Sequence, residues 1–241
     1  MIHAVKNVHI GNTNVSRVML GDLQVWPSGY VSNGLLIRLD GIQNTRAGHN
    51  QNATVWEDLT GNGFDIPLFN LSSNWESDCF NTLGSAYGSL SKTINLNEFT
   101  LECVLKENAR ATNTLVVNIR RSGVSFDLIS GYYYGGSNMF YTINGGSAVE
   151  VPSSVYPGLN TSFTSSFSGN ANGRKVFANN VFLNGDAVVF SPATLNVVSL
   201  FTYTGGIRNA RLYSLRVYNR ALSDSERTQN YNVDKARFNI P

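Results

Sequence analysis

The chain has 241 residues, and its 18 basic against 16 acidic side chains leave a net charge of +2. No run of Lys or Arg reaches the density of a nucleic-acid-binding surface, so we expect no nucleic-acid partner. Only 14% of the residues are charged, whereas Gly, Asn, Ser and Thr are abundant. This composition is typical of short β-strands joined by polar turns.

No targeting signal is recognisable at the start of the sequence. The first residues contain no basic start followed by an apolar segment, and no later stretch approaches the length of a membrane span. We therefore predict neither a secretory leader nor membrane insertion. Cys79 and Cys103 lie 24 positions apart in no metal-binding spacing. We interpret them as reduced thiols that fill apolar gaps rather than as a disulfide.

A short repeat, offset by ten residues, occupies 8–27. Each copy places a Gly-Asn or Gly-Asp pair between two alternating apolar segments, which predicts a tight turn in each. We predict a small three-stranded β-meander in residues 1–30 that ends in a linker from Pro27 to Tyr30. Because so small a meander buries little apolar surface, it must rest on the main domain, 31–241, or on another protein.

The main domain is predicted to be strand after strand. Leu35, Ile37 and Leu39 alternate with other residues in the first segment, and a polar loop follows. The segment 99–105 alternates again, and further short apolar segments are separated by Gly-rich turns. This pattern favours an antiparallel sandwich, and no long helical periodicity competes with it.

A strand that leads directly into a helix lies near the C-terminus. Tyr213, Leu215 and Val217 alternate with residues of a second face, which predicts a strand with one buried face. The helix begins after Ser223, whose side chain is expected to cap it. Glu226, three residues on, is expected to reach back to the backbone N–H of the cap and so complete a capping box.

Three of these motifs resemble laminin-G-like domains of the concanavalin-A-like lectin and glucanase superfamily. They are the opening strand that ends in Asp40-Gly41, the W-x-D-x-[ST]-G-x-G element at 56–63, and the run L-R-V-Y-N-R-A-L-S-D-S-E-R at 215–227. The resemblance implies an all-β fold, a two-sheet antiparallel jelly-roll sandwich with one short C-terminal helix. The N-terminal repeat resembles modules of bacteriophage tail and other virion proteins, which implies that residues 1–30 dock onto a virion.

The residue patterns of hydrolases are incomplete in this chain. Endoglucanases of the superfamily carry Glu-x-Asp-x-Glu or Glu-x-Asp-x-x-Glu on one strand. Here the only such start, Glu76-Ser-Asp78, is followed by Phe80 and Asn81 where the third carboxylate should stand. None of the three histidines lies beside a G-x-S-x-G elbow, so no hydrolytic triad is predicted. We predict no catalytic residues and no enzymatic activity.

Calcium is the one metal for which the sequence offers suitable oxygens. Asp40, Asp58, Asn62 and Asp65 stand close together in the sequence, and relatives of this fold bind calcium through such residues. The alternative is that these side chains make turn and cap hydrogen bonds. We favour the alternative and predict no cofactor and no metal site.

A sugar site needs an aromatic surface beside amide or carboxylate groups. Tyr132, Tyr133, Tyr134 and Asn138 form the most suggestive stretch, because successive tyrosines in a strand cannot all face the core. They are our predicted carbohydrate-binding residues. The alternative is that these tyrosines cover the sheet or an oligomer contact. Trp56 and Trp75 are interpreted as core or loop anchors.

Three functions follow from these patterns. The first is a non-catalytic structural protein of a bacteriophage virion, on head, tail or fibre, docked to other virion proteins through its N-terminal segment. Its sandwich would face host glycans, and the protein would be a homo-oligomer located in the virion. The second is a secreted, extracellular bacterial carbohydrate-binding or adhesion module. The third, a glycoside hydrolase, is disfavoured by the missing carboxylate.

Overall fold

The structure is a computed structural model. It describes residues 9–10, 13–14, 18–20, 23–26, 29–72, 74–82, 86–108, 117–122, 128–134, 137–141, 148–152, 154–155, 157, 161–201 and 210–241. Side chains are described from residue 29 onward, except within 123–147. All strand pairs of this described part are antiparallel.

The elements follow one another along the chain as short strands and a single C-terminal helix in the described part. The strands are β1 (His9–Ile10), β2 (Thr13–Asn14), β3 (Val18–Leu20), β4 (Leu23–Trp26), β5 (Leu35–Asp40), β6 (Val55–Trp56), β7 (Ile66–Phe69), β8 (Phe80–Asn81), β9 (Tyr87–Leu96), β10 (Phe99–Glu107), β11 (Val117–Arg120), β12 (Leu128–Tyr134), β13 (Ser137–Tyr141), β14 (Val149–Pro152), β15 (Ser162–Asn170), β16 (Gly173–Ala178), β17 (Val181–Asp186), β18 (Ala193–Leu200) and β19 (Ala210–Tyr218). The helix is α1 (Asp224–Phe238).

Two large sheets form a sandwich. One has the strand order β17-β16-β15-β10-β19-β5, with β8 also paired to β19, and the other has the order β14-β13-β12-β11-β18-β9-β7-β6. Apolar side chains of both sheets, among them Leu101, Leu215, Ile119 and Val198, meet in one buried core. The predicted all-β, two-sheet antiparallel sandwich with one short C-terminal helix is therefore confirmed.

The prediction that β19 buries only one face is wrong, because α1 covers the other. Arg216 and Tyr218, on the helix side, are as buried as Leu215 and Val217 on the core side. Tyr213 also lies on the helix side, where its ring contacts that of Phe238 at 5.7 Å between centroids. A register shift opposite Val104 and Leu105 adds a residue to β19 and breaks the alternation at that point.

Arg216 is the centre of a buried polar network between this sheet and α1. Its Nη1 and Nη2 donate to the two carboxylate oxygens of Asp234 at 2.8 and 2.5 Å, and its Nε donates to Glu102 Oε2 at 3.1 Å. Asn230 Nδ2 donates to the same Glu102 oxygen at 2.7 Å. Burial is the largest influence on both carboxyls and raises the pKa of each. The pairing therefore offsets the cost of desolvation, and loss of one partner would expose that cost.

Tyr30 belongs to this network, so the prediction that a linker extends to Tyr30 is wrong. Its hydroxyl donates to Asp234 Oδ1 at 2.8 Å, and the Arg216 guanidinium lies 4.2 Å from the centre of its ring. Gln229 Nε2 also donates to the carbonyl of Gly29 at 3.0 Å. The chain is thus anchored to α1 from residue 29 onward.

The predicted capping box of α1 is confirmed. Ser223 Oγ accepts from the backbone N–H of Glu226 at 3.3 Å, and the Glu226 carboxylate accepts from the backbone N–H of Ser223 at 2.9 Å. Arg220 donates twice to the same carboxylate, at 2.8 and 2.6 Å. These contacts lower the pKa of Glu226 to about 2, chiefly because of the hydrogen bond from Arg220.

In the N-terminal repeat β1 pairs with β2 and β3 pairs with β4, and the three-stranded meander stays a prediction. Ile10 pairs with Thr13 and Leu20 pairs with Leu23, so each Gly-Asn or Gly-Asp pair lies between two paired strands as expected. In the described part of the chain no ladder joins β2 to β3. A division at residue 30 into a meander and a main domain stays a prediction.

Both cysteines are buried free thiols, as predicted. Burial raises the pKa of Cys103 to about 12 and also raises that of Cys79, so each thiol stays protonated near neutral pH. Within the described residues, no helix has the length and apolar character needed to cross a membrane.

Replacement of Arg216 by Met should destabilise the fold strongly. The variant leaves Glu102 and Asp234 buried without their cation, which costs about 3–5 kcal/mol. Urea unfolding of wild type and variant measures this loss. The matched control is Arg46→Met, because the Arg46 side chain is 47% exposed and its ion pairs contribute at most about 1 kcal/mol. Equal losses in the two variants would contradict the role assigned to Arg216.

Acidification should weaken the start of α1 through Glu226. A carboxylate with a lowered pKa stabilises the fold above its unfolded pKa of about 4.3, and that contribution is lost as the pH falls toward about 2. Above the window, Glu226→Gln should lower the free energy of unfolding by at most about 1 kcal/mol, because the site is partly exposed. This loss should shrink as the pH falls through the window. Urea unfolding at pH values on either side of the window tests this.

The pH dependence should also require Arg220. In an Arg220→Gln background, the largest cause of the lowered pKa is gone, so Glu226→Gln should change little between the two pH values. Parallel stability curves for wild type and Glu226→Gln would show that the prediction is wrong.

Candidate functional site

The predicted tyrosine site lies in β12 and β13, whose side chains are outside the described part of the structure. The backbone register pairs Tyr133 with Asn138 and Asn138 with Val151. Directly paired residues share a face, and Val151 is buried in the core. The positions of Tyr133 and Asn138 therefore lie on the core face of the sheet, while Tyr132 and Tyr134 occupy positions on the other face. Sugar binding by these four residues stays a prediction.

The oxygens considered for calcium accept hydrogen bonds from the protein. Asp58 Oδ1 accepts from the backbone N–H groups of Arg38 and Thr60, each at 3.0 Å, and Asp58 Oδ2 accepts from the Thr60 hydroxyl at 2.6 Å and from the N–H of Phe64 at 3.2 Å. Asp65 Oδ1 accepts from the N–H of Asp58 at 2.8 Å. This arrangement is that of turn and cap hydrogen bonds, the interpretation favoured above.

The other two members of that set are engaged in the same way. Asp40 Oδ2 accepts from Arg237 Nη2 at 2.6 Å, and Asp40 Oδ1 accepts from the N–H of Ile42 at 3.1 Å. Asn62 Nδ2 donates to the carbonyl of Leu36 at 2.9 Å. These side chains fasten the loop after β6 and the C-terminal end of α1 to β5.

The carboxylates of Glu76 and Asp78 lie beside β8 with oxygens within 4.8 Å of each other, but the partners of Glu76 do not suit a general acid. Arg211 Nη2 lies 2.8 Å from Glu76 Oε1, and Asn81 Nδ2 donates to the same oxygen at 2.6 Å. The hydrogen bond from Arg211 is the largest cause of a lowered pKa at Glu76. A general acid needs the opposite shift. Phe80 and Asn81, at the positions of the missing third carboxylate, are both buried.

A cleft of about 290 Å³ opens at the edge of the second sheet, where β6 begins and β7 ends. We call it the amide cleft. Its rim is formed by the exposed residues Gln51, Asn52 and Thr54, which precede β6. The other lining residues, which we call its floor, are buried or half-buried: Ala53, Leu71, Asn74 and Trp75. The first group comes from the loop before β6, and Leu71, Asn74 and Trp75 come from the segment after β7.

Hydrogen bonds hold the two walls of the amide cleft together. Trp75 Nε1 donates to the carbonyl of Ala53 at 2.9 Å, and the N–H of Leu68 donates to the carbonyl of Thr54 at 2.9 Å. The loop before β6 is folded on itself by the buried Asn44, whose side chain exchanges two hydrogen bonds with the backbone of Asn50 at 2.7 and 2.8 Å. The walls are therefore preorganised.

Aromatic packing supports the cleft from below. The Trp75 ring lies edge-on to those of Trp56 and Phe80, each at 5.0 Å between centroids. Trp56 is fully buried and Trp75 is 7% exposed, so both are anchors, as predicted. Trp75 nevertheless contributes the apolar floor of the cleft. His49 is exposed beside it and contacts the carbonyl of Gly41 through Nδ1 at 3.0 Å.

The rim carries polar groups that are not used by the fold. Among the described residues, the side chains of Gln51, Asn52 and Thr54 have no hydrogen-bond partner, whereas Asn74 donates to the carbonyl of Asn81 at 2.7 Å. Two amides and a hydroxyl therefore face solvent above an apolar floor, an arrangement that suits a ligand rich in hydroxyl groups.

The sequence contains a weak signal for this site. Gln51, Asn52 and Thr54 form a polar run directly ahead of a buried tryptophan. The partner wall is about 20 residues away, and only the pairing of β6 with β7 brings it close. The amide cleft and the tyrosine stretch lie on different strands of one sheet, four strand spacings or roughly 19 Å apart. The structure does not join them into one site.

No protein-family model matches this chain, and no curated protein sequence matches it. Solved structures are similar in fold. A mutant of Trypanosoma rangeli sialidase displaying trans-sialidase activity matches with a TM-score of 0.61 and 15% identity, over 86% of this chain and 34% of that chain. The present chain thus spans about a third of the sialidase.

Two further solved domains are also similar in fold. Domain 4 of AbnA, a GH43 extracellular arabinanase from Geobacillus stearothermophilus, in complex with arabinotriose, matches with a TM-score of 0.57 and 16% identity, over 82% of this chain and 98% of that one. The binding domain of botulinum neurotoxin DC, in complex with SialylT, matches with a TM-score of 0.57 and 11% identity, over 83% and 51% of the two chains. At such low identity these similarities establish one property of the present chain, its β-sandwich fold.

Proposed function

We propose that this chain is a non-catalytic carbohydrate-binding module that holds a sugar in the amide cleft. The observation that carries the proposal is the rim of Gln51, Asn52 and Thr54, whose polar groups have no partner among the described residues and stand above Trp75. Sugar hydroxyls both donate and accept hydrogen bonds, as amides do. The apolar floor matches the C–H face of a sugar ring.

The comparisons support a sugar ligand by analogy. AbnA domain 4 matches almost over its whole length, and it is bound to arabinotriose. Its similarity to this chain is one of fold, so the ligand comes to this chain as part of the proposal. The second support is internal: the cleft is preassembled by the Trp75–Ala53 hydrogen bond, which reduces the ordering cost of binding.

The absence of catalysis is part of the proposal. Retaining glycosidases place two carboxyls about 5 Å apart with one pKa raised. In this chain Glu76 has a lowered pKa and is bound to Arg211, and the amide cleft is lined by no carboxyl among the described residues. A sugar bound there would meet hydrogen-bonding groups and no proton donor of suitable strength.

Removal of the rim groups should weaken sugar binding without unfolding the protein. A glycan array on the full chain should reveal a ligand, and the triple variant Gln51→Ala, Asn52→Ala, Thr54→Ala should bind it at least about tenfold more weakly, since each hydrogen bond contributes about 1 kcal/mol. The matched control is Asn172→Ala, an exposed amide on the turn between β15 and β16, which should bind as wild type does.

The same assay separates the amide cleft from the tyrosine stretch. Tyr132→Ala and Tyr134→Ala change the two positions that lie on the outer face of the sheet, and they should leave binding unchanged if the ligand occupies the amide cleft. Loss of binding in the tyrosine variants, with binding retained in the triple variant, would transfer the site to β12.

We infer further that the module is displayed on a bacteriophage virion. The inference rests on the N-terminal repeat, whose two hairpins precede the residues anchored to α1. In this setting the hairpins dock onto other virion proteins, the sandwich binds host surface glycans, and the protein is a homo-oligomer. The alternative setting is a secreted bacterial adhesion module.

Antibody labelling in the electron microscope separates the two settings. In a culture that produces the protein, gold label on virus particles is the expected result, and a Gly11→Val, Gly21→Val variant should lose it because both predicted tight turns need glycine. Label confined to the surface of the bacteria would contradict the virion setting and favour the secreted one.

A further inference from the structure

The amide cleft differs from most of the nearby surface in having no charge. None of its described lining residues is Asp, Glu, Lys or Arg. The two segments that form it, 50–54 and 70–75, contain no Asp, Glu, Lys or Arg at any position. Every polar interaction that the lining offers is therefore that of a neutral dipole.

The charged groups on adjoining segments are already paired. Arg46 forms ion pairs with Asp65 and with Glu57, the latter at 3.7 Å. Glu76, which follows Trp75 in the chain, is held by Arg211 at 2.8 Å. Neither cation is free to turn toward a ligand without breaking an ion pair.

A charged sugar would therefore lose more than it gains in this cleft. Recognition of a carboxylate, sulfate or phosphate group relies on Arg, Lys or clustered backbone donors, because the group loses hydration when it enters a site. The hydroxyls of an uncharged sugar lose less hydration free energy than an ion does, and amide and hydroxyl groups replace their hydrogen bonds to water directly.

The size of the cleft limits how much of a glycan it holds. Its volume of about 290 Å³ lies at the lower end of the range for ligand pockets, about 300–1,000 Å³. Its lining combines the exposed Gln51 and Asn52 with the half-buried Leu71 and the buried Trp75. A volume of this size suits one sugar unit with part of a second, as the end of a glycan chain presents them.

We propose that the amide cleft selects the uncharged terminal unit of a neutral glycan and rejects glycans that end in an acidic sugar. This inference rests on the proposed function of the cleft and adds the ligand class. It distinguishes between the two kinds of sugar seen in structures of similar fold, arabinotriose and a sialylated ligand.

Calorimetric titration of the full chain with three probes tests the proposal: arabinotriose, lactose, and lactose capped with sialic acid. We expect binding to at least one of the two neutral sugars, at least about tenfold weaker or absent binding of the capped sugar, and an affinity that is insensitive to added salt. Because the capped probe contains lactose, the comparison changes only the terminal unit.

A pair of substitutions at the rim provides the matched control. Gln51→Lys places a cation at an exposed position and should improve binding of the sialylated probe relative to wild type, with a salt dependence that wild type lacks. Gln51→Glu has nearly the size of the native side chain and should not improve binding of the sialylated probe.

Tighter binding of the sialylated probe than of the neutral sugars by wild type, with loss in the triple rim variant, would overturn the neutral selectivity and leave the sugar-binding function in place. Binding of a sugar that survives the triple rim variant would overturn both.

Discussion

The burial of one guanidinium group constrains most of this structure. Arg216 lies on the outer face of a sheet, a position that would normally be solvated. A buried cation is tolerated only when carboxylates and other hydrogen-bond acceptors pair with it. Glu102 comes from the neighbouring strand and Asp234 from α1, and Tyr30 closes the network from the N-terminal side. The first and last segments of the sandwich are thereby attached to each other.

This constraint also decides where a ligand has room to bind. Because α1 covers the outer face of its sheet at Arg216, that part of the face is unavailable, and the space left there beside Ser166 and Arg227 is about the size of a water molecule. Among the described residues no helix covers the loops at the β6–β7 edge of the second sheet, and these loops form the amide cleft. One surface of the fold is thus covered by the helix, and the loops at the other sheet edge carry the cleft that we propose as the binding site.

The agreement between pattern and structure is best where a residue's role depends on its neighbours in sequence. The capping box of Ser223 and Glu226 and the short strand pairs of the N-terminal repeat involve contacts within a few residues. The predictions that were wrong depended on distant segments. Tyr30 was taken for a linker residue because Pro27 and Gly29 precede it, yet Asp234, far along the chain, holds its hydroxyl.

From its sequence alone, this chain can be recognised as an antiparallel β-sandwich with a capped C-terminal helix, since alternation and capping are local properties. Cys79 and Cys103 were also interpreted as buried free thiols, because the sequence shows no secretory signal, and both are free and buried. The site required the tertiary structure. The amide cleft exists because β6 pairs with β7 and because Trp75 donates to Ala53 across 22 positions of the chain, and no local pattern determines which loops meet at the edge of a sheet.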